Sequence, residues 1–428
     1  MTDVEAVARV RVGGGRSVGR LVCHPRLPLV AGLEAERPVV HIWDCGAGQL
    51  RELASVAAEL SGYDEAVDRD RARESPAVAW HPHEPHLMVA GAGRVVRWSP
   101  AGPAEAVELK GPPPTACYRG LAFSPDGRTL WASPSSGDED KPWDSSDVLD
   151  PVSGTVGSGP RWDTGIAEHP GGGLVATLRS DQGATYVLFA RVDSETAPGA
   201  SMRVLRRALI LDVDGYETPV FSADGRHLAV RGNAYDNSLE VFAFPSLRRV
   251  LATTLGEPSP GYPYPQEWLD EMRAWSRQNI AFGVRPGVLW VGTPTGTLVE
   301  VDLETETAVV HDVPAGSPVS GLGATPAGEL VVAGAGGDLV LLSVRGDSPK
   351  TRGQDSDAAR AAVTAFLDAT SEVPEVPDGD DLENHLVVTD GTRTWESDDL
   401  ATVTIATAAD PTWLRIQAAV NNARDQGN

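Results

Sequence analysis

Residues 78–91, VAWHPHEPHLMVAG, join two short apolar runs through a turn centred on Pro82. Proline presets the φ angle that the first central position of such a turn needs, and alternating apolar residues on either side favour β-strands. The stretch therefore predicts a β-hairpin. Because one hairpin cannot bury its own apolar faces, it needs further strands and neighbouring sheets.

The same strand-turn-strand pattern recurs along the chain. Six further copies are LVCHPRLPLVAG (residues 21–32), LAFSPDGRTLWAS (121–133), IAEHPGGGLVAT (166–177), PVFSADGRHLAV (219–230), FGVRPGVLWVG (282–292) and LGATPAGELVVAG (322–334). Their turns are centred on Pro25, Pro125, Pro170, Ala223, Pro286 and Pro326. The closest turns are about 40 residues apart, the length of one four-stranded propeller blade. Seven such units predict a closed ring.

Three of the hairpins are followed by a third strand that ends in aspartate. These ends are VVHIWDCGAGQ with Trp43 and Asp44, DVLDPVSGTV with Asp150, and GTLVEVDLETE with Asp302. With the seven repeats, they make residues 4–346 resemble the WD-repeat (WD40-like) β-propeller family. The resemblance implies an all-β, seven-bladed β-propeller. The Gly-His pair that the family carries before each first strand is missing, so we expect its buried hydrogen-bond tetrad to be absent.

The two ends of the repeat region complement each other. The segment AVARVRV (residues 6–12) has the pattern of a strand without a hairpin partner, and the seventh copy stops after its third strand. We therefore expect residues 7–12 to supply the missing outer strand, which would remove an exposed sheet edge.

Several segments interrupt the repeats. Residues 60–75, 134–146 and 257–278 lie in links that the parity of antiparallel strands places on one face of the ring, whereas residues 194–201 fall on the other face. The acid-rich segment 134–146 matches no EF-hand spacing and is interpreted as a solvated loop. The decorated face is the predicted working surface.

The segment 257–278 is predicted to be a helical insertion between blades 5 and 6. Pro265 suits the first turn of a helix, and the apolar residues that follow it fall on one stripe. The candidate partner-binding residues are Tyr262, Tyr264, Trp268, Leu269, Met272 and Trp275. Aromatic residues and methionine are enriched at binding surfaces, but the stripe could instead dock on the ring and be buried.

Residues 349–428 differ from the propeller region 1–348. They predict a small, acidic α+β appendage, or a strap packed on the ring. We expect a helix over 355–370 with Asp355 or Ser356 as cap, strands at 383–390 and 400–407, and a final helix capped by Asp410.

Composition limits the partners. The formal net charge of −24 argues against nucleic acid, since a phosphate backbone requires a basic face. No signal peptide or membrane-spanning run is present, and the three cysteines have no metal or redox spacing, so we expect a cytoplasmic protein without a membrane partner. Because Lys110, Lys141 and Lys350 are the only lysines, the composition also indicates a GC-rich bacterial genome.

The sequence predicts no catalytic, cofactor-binding or metal-binding residues. His24, His81 and His169 each precede a proline in equivalent turns, and such turns are held apart around a ring. Nucleophile elbows and phosphate-binding loops are missing from the sequence. The resulting hypothesis is a monomeric, non-catalytic scaffold for an unidentified protein partner. One alternative is an enzyme or small-ligand sensor with a site at the mouth of the central channel. Another is that residues 349–428 carry the activity or the docking function while the ring supports them.

Overall fold

The repeats form a seven-bladed β-propeller. The computed structural model describes residues 2–57, 76–91, 94–110, 118–134, 145–181, 184–192, 202–212, 215–232, 236–313, 316–345, 352–374 and 379–427. Each repeat turn joins the first and second strands of one blade, which confirms the ring that the seven hairpins predicted. No helix within these residues is long and apolar enough to cross a membrane.

The N-terminal strand β1 (Asp3–Arg11) is followed by three complete blades. Blade 1 contains β2 (Val18–Cys23), β3 (Leu29–Glu34), β4 (Val39–Asp44) and β5 (Arg51–Ala57). Blade 2 contains β6 (Ala77–Trp80), β7 (Leu87–Gly91), β8 (Arg94–Ser99) and β9 (Gly102–Val107). Blade 3 contains β10 (Gly120–Phe123), β11 (Leu130–Ser133), β12 (Ser146–Leu149) and β13 (Val156–Gly159).

The remaining blades continue the same order. Blade 4 contains β14 (Ile166–Glu168), β15 (Leu174–Asp181), β16 (Ala184–Val192) and β17 (Met202–Asp212). Blade 5 contains β18 (Val220–Phe221), β19 (His227–Arg231), β20 (Ser238–Ala243) and β21 (Arg248–Thr254), and helix α1 (Gln266–Ala274) follows it. Blade 6 contains β22 (Ile280–Phe282), β23 (Val288–Gly292), β24 (Thr297–Asp302) and β25 (Thr307–Asp312). Blade 7 contains β26 (Val319–Ala324), β27 (Leu330–Gly334) and β28 (Asp338–Arg345).

The ring closes through its N-terminus. Strand β1 pairs antiparallel with β28 from Asp3↔Arg345 to Arg11↔Asp338 and becomes the outer strand of blade 7. The predicted closing strand is therefore confirmed, and it begins four residues before Val7. Its apolar side chains pack between blades 6, 7 and 1, so closure buries surface as well as pairing a sheet edge.

The aspartates that end three of the third strands accept hydrogen bonds from the turn that follows. Asp44 accepts a hydrogen bond from the Gly46 backbone N–H, and Asp150 accepts from Val152 and Ser153. Asp302 accepts from Glu304 and Thr305 in the same way. An aspartate at this position thus satisfies turn N–H groups that no strand partner can reach.

The C-terminal residues 352–427, here called the C-terminal strap, pack on blade 4. They contain helix α2 (Arg352–Asp368), a 3-10 helix (Gly379–His385), strands β29 (Val387–Thr389) and β30 (Thr394–Glu396), and helices α3 (Ser397–Thr402) and α4 (Thr412–Gly427). Strand β29 pairs in parallel with β17, so blade 4 becomes a six-stranded sheet. Phe366 of α2 is fully buried against blades 4 and 5.

Two cap predictions in the strap are wrong. Helix α2 begins at Arg352, before the expected caps Asp355 and Ser356. Helix α4 forms where expected, but its first N–H groups, from Thr412 and Trp413, donate to Asp212 of β17 and not to Asp410. Asp410 instead accepts from Thr407 and pairs with Arg393. A tertiary contact thus replaces the local cap.

The prediction of a strand at residues 400–407 is also wrong, whereas β29 confirms the strand predicted at residues 383–390. A capping box between Glu396 and Asp399 starts helix α3 just before the alternating run. Side chains of α4 then satisfy the carbonyl groups that a partner strand would have bonded. Asn421 donates to the carbonyls of Leu400 and Val403, at 2.9 and 2.7 Å.

Three of the predicted elaborations lie outside the described residues. These are the segments at 60–75 and 194–201 and most of 134–146. The helical insertion at 257–278 is described in full.

Candidate functional site

The insertion at 257–278 links the outer strand of blade 5 to the inner strand of blade 6. Pro265 has an extended backbone, and helix α1 begins immediately after it. Beyond the helix, the Ser276 hydroxyl donates to the Ser320 carbonyl of blade 7 at 2.7 Å. The insertion therefore lies along one face of the ring from blade 5 to blade 7.

An aromatic stack leads outward from the base of this insertion. Trp268 is only 9% exposed, and its indole N–H donates to the Glu257 carbonyl at 3.0 Å. Tyr264 stacks on Trp268, with ring centroids 5.1 Å apart. Tyr262 meets Tyr264 edge to face at 6.0 Å and is 89% exposed. The stack supports Tyr262 from below while leaving its ring open to solvent.

Two other candidate residues of the stripe, Met272 and Trp275, face the ring. Leu269 and Met272 are half-buried. The Asn237 side-chain amide donates to the Met272 carbonyl at 3.1 Å, and Trp275 packs against the apolar cluster between blades 5 and 6. An amphipathic helix on a protein surface normally turns its apolar side inward. The structure therefore divides the predicted group into an exposed tyrosine and a set of anchors.

A buried arginine beneath the insertion was not predicted from the sequence. Arg231, 1% exposed, donates to the side chains of Asn279 and Asn237 and to the Ser276 carbonyl, at 2.9, 3.1 and 3.2 Å. Burial, aided by the charge of Arg277, lowers the pKa of Arg231 to about 10. Nothing in the local sequence distinguishes this arginine from a solvated one at the end of a strand.

The outward side of α1 is acidic. Glu267, Asp270 and Glu271 are exposed, and Asp270 pairs with Arg273 at 3.2 Å. Acidic residues in the first turn of a helix also interact favourably with the helix dipole. The insertion therefore presents one exposed aromatic ring and three exposed acidic side chains.

The central channel carries a separate set of polar residues. On the insertion face, Gln278 donates to Glu217, whose charge also acts on Arg20 of β2. Desolvation lowers the pKa of Arg20. At the other mouth, desolvation raises the pKa of Glu168, and the charge of Arg26 opposes that shift. These residues are the groups available to the channel-mouth alternative.

The three turn histidines connect neighbouring blades. The Nε2 atom of His24 bonds the Glu84 carbonyl of blade 2, and that of His169 bonds the Gly225 carbonyl of blade 5, both at 2.9 Å. His81 makes the equivalent bond to Gly127 of blade 3. The Nδ1 atoms of all three rings accept backbone N–H groups of their own turns.

This use of both ring nitrogens requires the neutral imidazole with the proton on Nε2. Burial lowers the pKa of all three histidines, which favours the same form. The two glycines opposite His81 and His169 are equally constrained, since a Cβ on Gly225 would lie 2.5 Å from the His169 ring. Their shared position before a proline therefore reflects contacts between blades.

No group of three or more His, Cys, Asp or Glu side chains is placed to hold a metal ion in the part of the chain that the structure describes. Asp147, which directly follows the acid-rich segment 134–146, accepts the Tyr118 hydroxyl at 2.6 Å.

Comparisons with known proteins assign no family to the chain. The chain matches no protein-family model, and no curated protein sequence matches it either.

Proposed function

We propose that this protein is an interaction scaffold that binds a protein partner through the ring face carrying the insertion at 257–278. The observation that carries the proposal is Tyr262, 89% exposed at the end of an aromatic stack that is fixed to the ring. Tyrosine supplies a large contact area at a low cost in side-chain entropy, which suits a binding hot spot.

The acidic side chains of the insertion favour a basic partner. Glu267, Asp270 and Glu271 give the exposed side of α1 negative charge, and the whole chain carries −24. Complementary charges increase association rates, and an arginine of the partner could also lie on the tyrosine ring. We further propose that the protein is a divergent bacterial member of the WD-repeat family that works in the cytoplasm as a monomeric ring.

Affinity purification from the native cell with matched variants tests the proposal. We expect Tyr262→Ala to weaken binding of the main partner by about 30-fold, the effect of losing a typical hot-spot residue. Val152→Ala is the control, because Val152 is 92% exposed but lies in a turn on the opposite face. A partner retained equally by both variants would exclude this surface.

A further inference from the structure

A cleft lies on the outer rim of blade 4, away from the insertion. Its volume is about 470 Å³, within the usual range for small-molecule sites. The lining residues are Arg206, Arg207, Ser246, Asp368, Ala369, Thr370, Ser371, Val387, Thr389 and Thr394. The cleft is thus bounded by the outer strand of blade 4, a turn of blade 5 and the C-terminal strap.

Strand pairing explains why a gap exists there. The first part of β17 pairs with the segment after α2, where the Arg206 N–H donates to the Ser371 carbonyl at 2.9 Å. From Arg207 onward, β17 pairs in parallel with β29 instead. The two partners of β17 diverge between these points, and the cleft occupies the space that neither fills.

A β-bulge places two adjacent arginines at this gap. Neighbouring residues of a regular strand point to opposite faces. However, the register between β16 and β17 shifts where Leu188 pairs with Ala208 and Ala190 pairs with Val204. Three residues of β17 therefore oppose one residue of β16, and both Arg206 and Arg207 line the cleft. Bulges commonly re-aim side chains next to functional sites.

Both arginines are held in place by backbone carbonyl groups. Arg206 Nε donates to the His385 carbonyl at 2.8 Å, and Arg207 Nη2 donates to the Ser246 carbonyl at 2.7 Å. The Arg207 guanidinium also lies 5.1 Å from the centre of the Phe366 ring. Among the described residues, neither arginine has a carboxylate within ion-pair distance, although Arg191 and Arg203 of the same blade both pair with Glu372.

We propose that this cleft binds a small phosphorylated ligand that carries hydroxyl groups, such as a sugar phosphate, with its phosphate against Arg206 and Arg207. Guanidinium groups bind phosphate through paired, charge-assisted hydrogen bonds. Ser371, Thr370 and Thr394 add hydroxyl groups, and Asp368 supplies an acceptor for a ligand hydroxyl. None of the lining residues is aromatic, so the cleft offers no ring on which a nucleotide base could stack.

Calorimetric titration of the full chain with inorganic phosphate, glucose 6-phosphate and glucose tests the proposal. We expect glucose 6-phosphate to bind more tightly than phosphate, and glucose not to bind at millimolar concentration. The double variant Arg206→Gln, Arg207→Gln is expected to weaken glucose 6-phosphate binding at least tenfold, roughly the effect of losing one charge-assisted hydrogen bond. Arg203→Gln removes a charge from the same strand outside the cleft and is expected to bind as the unmodified chain does.

The variant Ala369→Glu provides a second test in case the double variant fails to fold. It adds a second carboxylate beside Asp368 without deleting any arginine contact, and it is expected to weaken phosphate binding at least tenfold. Absence of phosphate and glucose 6-phosphate binding by the unmodified chain would overturn the proposal. Unchanged binding by a folded double variant, or by Ala369→Glu, would do the same. Equal affinities for phosphate and glucose 6-phosphate would overturn the assignment of a sugar.

Discussion

The insertion and the C-terminal strap are both additions to one ring, but they are fastened in different ways. Beneath the insertion lies a polar network, in which Arg231 bonds Asn237, Asn279 and the Ser276 carbonyl. The strap is held by apolar contacts, with Phe366 against blades 4 and 5 and Trp413 in a second cluster. Apolar burial contributes most to stability, whereas directed hydrogen bonds fix orientation.

The same difference separates the two proposed binding surfaces. The insertion presents an exposed aromatic ring and acidic side chains, which suit a macromolecule. The strap leaves a concave, cationic and hydroxyl-rich cleft, which suits a small ligand. Substitutions at the strap anchors should therefore lower stability without affecting partner binding, whereas substitutions beneath the insertion should lower both.

The largest effect is expected for Phe366→Ala. The Phe366 side chain is fully buried, and its ring centroid lies 5.0 Å from those of Phe189 and Phe244. Its loss therefore leaves a cavity between α2 and the propeller. We expect a loss of about 4 kcal/mol in the free energy of unfolding, measured by denaturant titration. Partner binding through Tyr262 should persist in the folded protein. A loss below about 1 kcal/mol would show that α2 is not packed as described.

A smaller loss in the free energy of unfolding, about 3 kcal/mol, is expected for Arg231→Met. Methionine fills similar space but leaves several buried acceptors without a donor. Arg231→Lys is the matched control and should lose less unfolding free energy, because the ammonium keeps the charge and can still donate hydrogen bonds. It should still lose some, because it lacks the forked geometry of the guanidinium. The partner affinity should fall with Arg231→Met, since the insertion loses its support. Denaturant titration and the purification assay measure the two effects, and equal stability of both variants would contradict the network.

The smallest effect is expected for Asp212→Ala. Asp212 accepts the first N–H groups of α4, at 2.8 Å from Thr412, so its removal should cost about 1 kcal/mol, as for a lost helix cap. Hydrogen exchange of the α4 amides should increase while the blades remain protected. Asp410→Ala, at the position where the sequence predicted the cap, should instead loosen the turn at Thr407. Faster exchange at the start of α4 in Asp410→Ala than in Asp212→Ala would reverse the assignment.

The repeats could be predicted because their signals are local. Each hairpin carries its own turn, and the unpaired strand at the N-terminus matched the incomplete seventh copy. The strap was harder because its structure depends on distant partners. Asp212 caps a helix 200 residues later in the chain, and Asn421 satisfies carbonyl groups that alternation alone assigned to a strand. The E-S-D-D sequence before Leu400 contains the capping box. This local signal for a helix was overlooked because the alternating apolar residues at 400–407 favoured a strand.

The candidate sites show the same limit. Periodicity identified the helix at 257–278 and its apolar stripe, but it could not show that Trp268 faces inward while Tyr262 stays exposed. Neither Arg231 nor the pair Arg206 and Arg207 has a distinguishing local sequence, because burial and a β-bulge set their roles.

Site-specific photo-cross-linking in the native cell tests the central claim most directly. A photo-reactive phenylalanine analogue would replace Tyr262 in the full chain, and the same analogue would replace Val152 on the opposite face in a control. We predict that one partner protein cross-links at position 262 and not at position 152. Equal cross-linking at both positions, or none at position 262, would contradict the assignment of the insertion face as the binding surface.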